Sequence, residues 1–590
     1  MCGICGQFRF DGGNVSSKSL TSMMSKIARR GPDSNGKWLE GKVGFGHQRL
    51  SIIDLSSHGN QPMVDDLLKL TLVFNGTIYN YKSLRSQLIG KGYSFFSHSD
   101  TEVIIKAYHY WGENCIKYLD GMFAFCLWDQ SNEKLFIARD RIGIKPLYYN
   151  LSNKAFTFAS NSQALLTQKL DKSINPLALQ QQLSLHGVVP APNTIINGIQ
   201  KVKPATVITI NAKGLLKEKT YWYPSASRSE RNLSDEDYVE KAHELLTAAV
   251  TKRMAAADVP IGVLLSGGLD SSLLVALLKE AGHEDIRTFS IGFEDIDNEA
   301  GSEFEYSDQI VSKFKTQHQK YVVSNAEVLP RLSEAVMNMA EPMVGQDAVA
   351  FYLLSEQVSK HIKVVLSGQG ADEAFAGYFW YPRMATEKGD EIERFTKHYV
   401  DRPHEEYLQA VMPTYQGDNH TFNWLNKEFA KTGADSFIDK VFRTDITKLI
   451  VDDPVKRVDN MTMAWGLEAR VPFLDHLLVE SAFRIAPELH LARDGKNILK
   501  KIADEILPND IIDRKKGYFP MPALKFIRGE FYDFIYDILS SNKCYNRNLY
   551  NRPYIDRLLQ KPNEHKTAIE GNKLWHAAAT ELWLQQNLNH

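Results

Sequence analysis

The pattern of apolar and polar positions changes character near residue 237. Up to about residue 160 the chain is made of short runs bounded by Gly, Asn and Asp: GQFRF, VGFGHQRLSIIDL, LTLVFNG, FAFCLWD, KLFIARD, PLYYN and AFTFAS. Their length and their content of β-branched and aromatic residues predict strands. Two stretches with helical spacing, roughly 16–29 and 101–114, interrupt them, so a two-layer α+β domain is expected. A mixed region, INPLALQQQLSLHGVVPAPNTI and then KVKPATVITI, leads into the polar SASRSERNLSDED, which has the composition of a linker. Beyond it, long amphipathic helices alternate with the apolar runs PIGVLLS, IRTFSIGF and IKVVLSG. Strand, helix and strand in that order predict a parallel α/β sheet carrying its ligands at the carboxyl ends of the strands. After about residue 380 the pattern is mostly helical. The expected division is a first domain over 2–215, a linker over 216–237 and a second domain over 238–590.

Length alone calls for at least two domains, because 590 residues exceed what one hydrophobic core supports. With 43% hydrophobic and 24% charged residues and a formal net charge of -2, the chain has no global electrostatic pull toward nucleic acid or anionic membrane. Small-molecule chemistry is the expectation. No window reaches the roughly 20 apolar residues that cross a bilayer, and MCGICGQFRFDGG lacks the basic and apolar regions of an export signal. Five scattered cysteines do not form a disulfide framework and suit a reducing cytoplasm.

Cys2 directly follows the initiator Met, so removal of that Met places a thiol and a free α-amino group on one residue. With a reference pKa of about 8, the amine can exchange protons with the thiol near neutral pH, giving a nucleophile and its base together. The competing reading is a C-x-x-C pair with Cys5. Zinc would need a second pair that Cys115, Cys126 and Cys544 do not supply, and a redox pair would follow a strand instead of preceding one.

The segments RRGPDSNG, GHQRLSIIDL, GNQPM, VFNGTIYNY, SDTEVI, DGMFAF and ARDRIGIKPLYY, in this order, resemble the glutaminase domain of the class II amidotransferases, an N-terminal-nucleophile hydrolase fold. The resemblance implies Cys2 as nucleophile, Asn75 and the backbone N–H of Gly76 as oxyanion hole, and Arg49 and Asp100 as clamps for glutamine. A tetrahedral oxyanion needs preorganised donors, and a free amino acid offers a carboxylate to Arg and an ammonium to Asp. Such domains usually read N-G-E, whereas this chain has Thr77 after Gly76.

PIGVLLSGGLDSSLLVALLKEAG reads as strand, glycine loop and helix. Backbone N–H groups at a helix start, with the helix dipole, hold phosphate oxygens. The loop is neither a Walker A sequence nor G-x-G-x-x-G; S-G-G-x-D-S is similar to the pyrophosphate loop of the ATP pyrophosphatases, which split ATP to AMP and pyrophosphate while adenylating a substrate. A second apolar run, IKVVL, ends in Ser367-Gly368-Gln369-Gly370-Ala371-Asp372-Glu373. The resemblance implies ATP contacts at Leu265, Ser266, Gly267, Gly268, Asp270, Ser271, Ser367 and Gly368, with Asp270 and Asp372 as oxygen ligands for Mg2+. Lys496 matches a family lysine expected to face the reacting phosphate.

Glutaminase followed by pyrophosphate-loop synthetase resembles asparagine synthetase over essentially the whole chain, with LEARVPFLDH as a further landmark. The fold this implies is an α+β N-terminal-nucleophile glutaminase domain followed by an α/β parallel-sheet ATP pyrophosphatase domain of the adenine nucleotide alpha hydrolase-like type. GVVPAPNTI, EFEYSDQI, EPMVGQDAVAFYLLSEQV, SGQGADEAFAGYFWYP, DDPVKRVDNMTMAWGLEARVPFLDH and KKGYFPMPALKFIRG are similar to a narrower group, the N-acetylglutaminylglutamine amidotransferases, which make a compatible solute under osmotic stress. Asparagine synthetases typically carry Glu at the position of Gln369 and often Lys or Arg at that of Asn460, so Gln369 is the expected acceptor-binding residue. Glutamine and a small carboxylate acceptor are the expected partners; a homodimer is compatible with the chain, and nucleic acid and membrane are not expected. The competing readings are plain asparagine synthetase, a β-lactam synthetase-like ligase, and a non-catalytic glutamine-sensing or scaffold protein.

Overall fold

A computed structural model of the chain describes residues 2–228, 233–295, 300–514 and 521–588. The first domain holds two six-stranded sheets. In spatial order one runs Gln200–Lys201, Tyr148–Leu151, Ala155–Ala159, Gly3–Arg9, Val43–Arg49 and Ser34–Glu40. The other runs Leu216–Thr220, Thr206–Ile210, Lys134–Arg139, Gly121–Asp129, Leu70–Ile78 and Met63–Asp65. Ile4, Phe8, Phe45 and Phe158 of the first sheet share one core with Val73, Ala124, Trp128 and Ile137 of the second. The helix Ser17–Lys26 covers the outer face of one sheet, and Tyr81–Gly90 with Asp100–Trp111 covers the other.

The result is four layers where two were expected. The reason lies in the strands: Gly121–Asp129 is buried along nearly its whole length, so both faces need cover, whereas an alternating strand exposes one face. The helix Tyr81–Gly90 has no counterpart among the two helical stretches expected from the sequence.

The expected linker is partly built into structure. Leu216–Thr220 pairs antiparallel along Thr206–Ile210 as an edge strand, and the helix Asp235–Ala255 starts at Ser234, whose hydroxyl and the Asp237 side chain form a reciprocal cap. Between them Trp222 donates to Glu480 at 2.6 Å and Arg228 pairs with Asp439 at 2.8 Å, so the connection is tied to the second domain. Four residues of the polar stretch, 229–232, lie outside the described residues, as do 515–520 of KKGYFPMPALKFIRG.

The second domain is organised on a five-stranded parallel sheet, in order Gln317–Val323, Arg287–Phe293, Ile261–Leu264, Val364–Leu366 and Glu468–Arg470. The chain starts at the central strand, adds two strands on one side, then returns to the other. Ile261–Leu264 and Val364–Leu366 therefore flank the switch point, and the loops after them open a crevice at their carboxyl ends. The last strand, inside LEARVPFLDH, interrupts a region read as helical. Three residues are too short for period-two alternation to register.

The domains meet over buried ion pairs. Asp459 takes Arg30 at 2.9 Å and Lys145 at 3.3 Å, and Lys201 pairs with both Glu341 and Asp452 at 2.9 Å.

Candidate active sites

The first site is assembled where the two sheets of the first domain face each other. Gly3 pairs with Gln48 and Ile4 with His47, so Cys2 lies beside the strand that ends in Arg49. The strand Leu70–Ile78 contributes Asn75, Gly76 and Thr77 from the other sheet, and Asp100 is the first residue of the helix Asp100–Trp111. Cys2, Arg49, Gly76, Thr77, Asp100 and Glu468 line a small cavity of about 30 Å³.

The geometry suits acyl transfer. The Cys2 backbone N–H donates to Asn75 Oδ1 at 3.0 Å, which leaves the Asn75 Nδ2 group buried with no hydrogen-bond partner among the described residues. A buried donor left free costs about 1–3 kcal/mol, and a developing oxyanion beside the thiol would satisfy it. The Arg49 guanidinium is fixed by the carbonyl of Ser56 and Oδ1 of Asn60, both at 2.8 Å, and by the Asp54 carbonyl. Asp100 accepts the Ile78 N–H at 3.0 Å, and burial pushes its carboxyl up to about 6. Burial also raises the Cys2 thiol, against the positive charge of the amino terminus, a backbone hydrogen bond at Leu50 and the charge of Arg49.

Thr77, the departure from N-G-E, is bonded across the domain boundary. Its hydroxyl donates to Glu468 Oε1 at 3.3 Å, and the same oxygen accepts Arg470 Nε at 2.6 Å. A carboxylate therefore stands at this wall after all, supplied by the second domain's last strand. The Arg470 carbonyl accepts the Ser367 N–H at 2.9 Å, so this strand touches both sites. Sequence reasoning used LEARVPFLDH only as a landmark and missed Glu468.

The second site sits in the crevice. Leu265, Ser266, Gly268, Asp270, Ser271, Ser367 and Gly368 all line one cavity of about 130 Å³. Gly267 lies just behind them with φ +75°, and a Cβ there would come within 2.5 Å of the Ser307 backbone nitrogen; only glycine fits that turn. The loop is preorganised: Ser266 Oγ lies 3.1 Å from Ser271 Oγ and accepts the Gly268 N–H at 3.3 Å. Phe289, Ile291, Phe304 and Phe351 add an apolar wall that the motifs did not announce.

Lys496 bridges the two loops without lining either cavity. Its ammonium lies 2.6 Å from Asp270 and 2.7 Å from Asp372, two carboxylates from separate loops. Burial alone would lower its pKa, but these two charges hold it above the ordinary lysine value. Gly377 makes room for the arrangement, since a Cβ there would meet Asp372 Oδ1 at 2.1 Å and Lys496 Cε at 2.2 Å.

Two family models match the chain. The glutamine amidotransferase domain covers residues 1–222 and asparagine synthase covers 241–585. Asparagine synthetase [glutamine-hydrolyzing] 1 of Bacillus subtilis is 32% identical, with 100% of this chain and 97% of that protein aligned. The chain belongs to the asparagine synthetase family. Asparagine synthetase [glutamine-hydrolyzing] 3 of the same organism is 31% identical over 95% of this chain and 93% of its own length, and a putative asparagine synthetase of Mycobacterium tuberculosis is 30% identical over 94% and 92%. The protein is accordingly a glutamine-dependent, ATP-driven amidotransferase, a carbon–nitrogen ligase. Among the described residues no helix is long and apolar enough to cross a membrane.

In this asparagine synthetase-family chain a second cavity, about 280 Å³, adjoins the nucleotide crevice. Ser266, Gln369 and Asp372 line both. Asn460 does not line it: its Oδ1 accepts the Ala340 N–H at 2.7 Å in the protein interior. The expected loss of an acceptor-facing charge at Asn460 is thus corrected, because the residue supports the backbone behind the cavity.

Proposed function

We propose that the protein converts N-acetylglutaminylglutamine to its C-terminal carboxamide in the cytoplasm, through an acyl-adenylate, with release of AMP and pyrophosphate. The observation that carries this reading is Gln369, an uncharged side chain lining the larger cavity next to the nucleotide crevice. Asp347 and Asp453 both pair with Arg457, at 2.9 and 2.5 Å; Asp372 pairs with Lys496 and Glu303 with Arg514. Glu373 accepts the Tyr378 hydroxyl at 2.8 Å, and burial pushes Asp445 up to about 8, so that it is neutral at pH 7. Arg457 is shared by two of these acids, Lys496 is shared by Asp372 and Asp270, and a hydroxyl does not cancel the charge of Glu373, so the wall as a whole stays acidic. At Gln369 itself no carboxylate awaits an α-ammonium, and an N-acylated dipeptide, which has none, offers amides to its carboxamide.

The mechanism follows from the two sites. Cys2 attacks the glutamine carboxamide, with Asn75 and the Gly76 N–H facing the oxyanion, and Arg49 and Asp100 holding the carboxylate and ammonium of the amino acid. In the crevice, the loop after Leu264 cradles the ATP phosphates, and Lys496 offsets the charge that develops as pyrophosphate leaves. Asp270 and Asp372 would hold Mg2+ on those phosphates; their carboxylates already converge on a single cation position, which fits hard-oxygen ligation. When bound, the metal neutralises the leaving group. A water-poor route between the sites keeps ammonia from protonation.

Pyrophosphate release measured against a panel of acceptors tests the reading. N-acetylglutaminylglutamine is expected to stimulate it and aspartate is not. Comparable or faster turnover with aspartate, yielding asparagine, would establish the second reading, which the names of the relatives favour.

Asp100 carries a pH prediction. Its carboxyl ionises near pH 6 in the free enzyme, so above that pH it is charged and holds the glutamine ammonium, and below it is neutral. The KM for glutamine is expected to rise roughly tenfold per pH unit below about 6, while ammonium-driven synthesis lacks this dependence. A flat glutamine KM between pH 5 and pH 7.5 would remove Asp100 from this role.

A further inference from the structure

One residue of the glutaminase domain reaches the larger cavity. Every described residue lining it lies at position 266 or beyond except His186. The residue follows the helix Pro176–Ser184 in a turn where His186 has φ +54° and Gly187 φ +80°. A residue with a Cβ rarely adopts the first of these, and such outliers persist where the surroundings hold them. Here the hold is visible. The Asp401 backbone N–H donates to the Ser184 carbonyl at 2.9 Å, and the buried Asp401 carboxylate lies 3.3 Å from His186 Nδ1 and 3.4 Å from Nδ1 of His576. The two imidazoles pack edge to face at 5.2 Å.

This arrangement sets which edge of the ring is free. With Nδ1 turned to Asp401, Nε2 is on the accessible side, and it has no hydrogen-bond partner among the described residues. Asp401 is fully buried and His186 retains 14% side-chain exposure, so the ring faces the cavity with its carboxylate behind it. The neutral ring is thereby held as the Nδ1–H tautomer, with the Nε2 lone pair left for a ligand.

We propose that His186 is an acceptor-binding residue, contributed by the glutaminase domain, whose Nε2 hydrogen-bonds an amide group of the bound acceptor. Asp401 and His576 are its positioning residues. The inference rests on reading this cavity as the acceptor site and deepens it: the acceptor class is one with an amide group remote from the carboxyl being activated. With Nδ1–H bonded to Asp401, Nε2 accepts an amide N–H when the ring is neutral and donates to an amide carbonyl when it is protonated. Burial pulls His186 down but Asp401 more than restores it, raising the pKa, while burial takes His576 to about 4 and leaves it neutral.

The test compares His186→Ala and His186→Gln with the parent enzyme. The alanine variant is expected to raise the KM for N-acetylglutaminylglutamine about tenfold or more, with kcat, the KM for ATP and glutamine hydrolysis changed far less. His186→Gln, which places a carboxamide N–H near the position of Nε2, restores most of the affinity. An unchanged acceptor KM in His186→Ala, or an equal loss in ATP binding and glutaminase activity, would overturn the proposal, the latter by showing a merely structural role. Dialysis against EDTA, followed by assay with magnesium added back, is expected to leave the acceptor KM unchanged; a loss that magnesium does not restore and zinc does would overturn it in favour of a His-Asp-His metal site. If the parent enzyme uses aspartate instead of the dipeptide, the amide contact at His186 fails together with the reading of the acceptor, whereas turnover of the dipeptide with an unchanged acceptor KM in His186→Ala overturns the proposal alone.

Discussion

Replacing Cys2 with alanine is expected to lower glutamine-driven amidation about a thousandfold or more, while amidation from added ammonium salt continues at close to the parent rate. The separation of the two halves underlies this split. Cys2 lines a cavity of the first domain about 30 Å³ in volume, and the phosphate loop is at the carboxyl edge of a different sheet. Removing one sulfur leaves Asn75, Arg49 and Asp100 in place, because each is held by its own backbone or side-chain partners, such as the Ile78 N–H on Asp100. The measurement is product formation from glutamine and from ammonium chloride at saturating ATP. Glutamine-driven synthesis by the purified variant at the parent rate would refute the assignment of the nucleophile. Equal loss from both nitrogen sources would show instead that Cys2 supports the domain interface.

The second large effect is expected at Lys496. Lys496→Met keeps the aliphatic stem and removes the charge, and pyrophosphate release should fall about a hundred- to a thousandfold, the usual range for deleting one preorganised stabiliser of developing negative charge. Two carboxylates would then face each other without the ammonium that sits 2.6 and 2.7 Å from them. Like charges at that separation repel, so Asp270 and Asp372 would each be harder to ionise, and the variant should melt at a lower temperature unless a divalent cation takes the vacated position. Asp270→Asn and Asp372→Asn act in the same direction on adenylation and leave part of the glutamine hydrolysis. Parent-like pyrophosphate release by Lys496→Met at saturating ATP and magnesium would show that Lys496 is only a structural partner of the two acids.

Much of this protein was legible along the chain because its chemistry is local. A nucleophile with its own amine needs only to be residue 2, and a phosphate loop needs only a strand, small residues and a helix start. The apolar runs PIGVLLS, IRTFSIGF and IKVVLSG, with the residues that follow them, therefore located strands, loops and the order of the two domains. The layer count was not legible, since burial of both faces of Gly121–Asp129 depends on a second sheet that the strand's own pattern does not reveal.

Tertiary structure alone decided the contacts that join distant segments. Lys496 meets Asp270 across 226 positions, Glu468 meets Thr77 across 391, and His186 meets Asp401 across 215. Neither periodicity nor propensity carries information over such separations, because both describe a residue's neighbours within a turn or a strand. For the same reason Thr77 read as a missing carboxylate when the carboxylate is supplied by the other domain, and Asn460 read as part of the acceptor site when its amide holds the Ala340 backbone in the interior. The sequence by itself determined which chemistry each domain carries. The packing of the two domains determined which side chains from one domain stand in the other's site, because a buried polar group must find its partner wherever the fold brings one within hydrogen-bond reach.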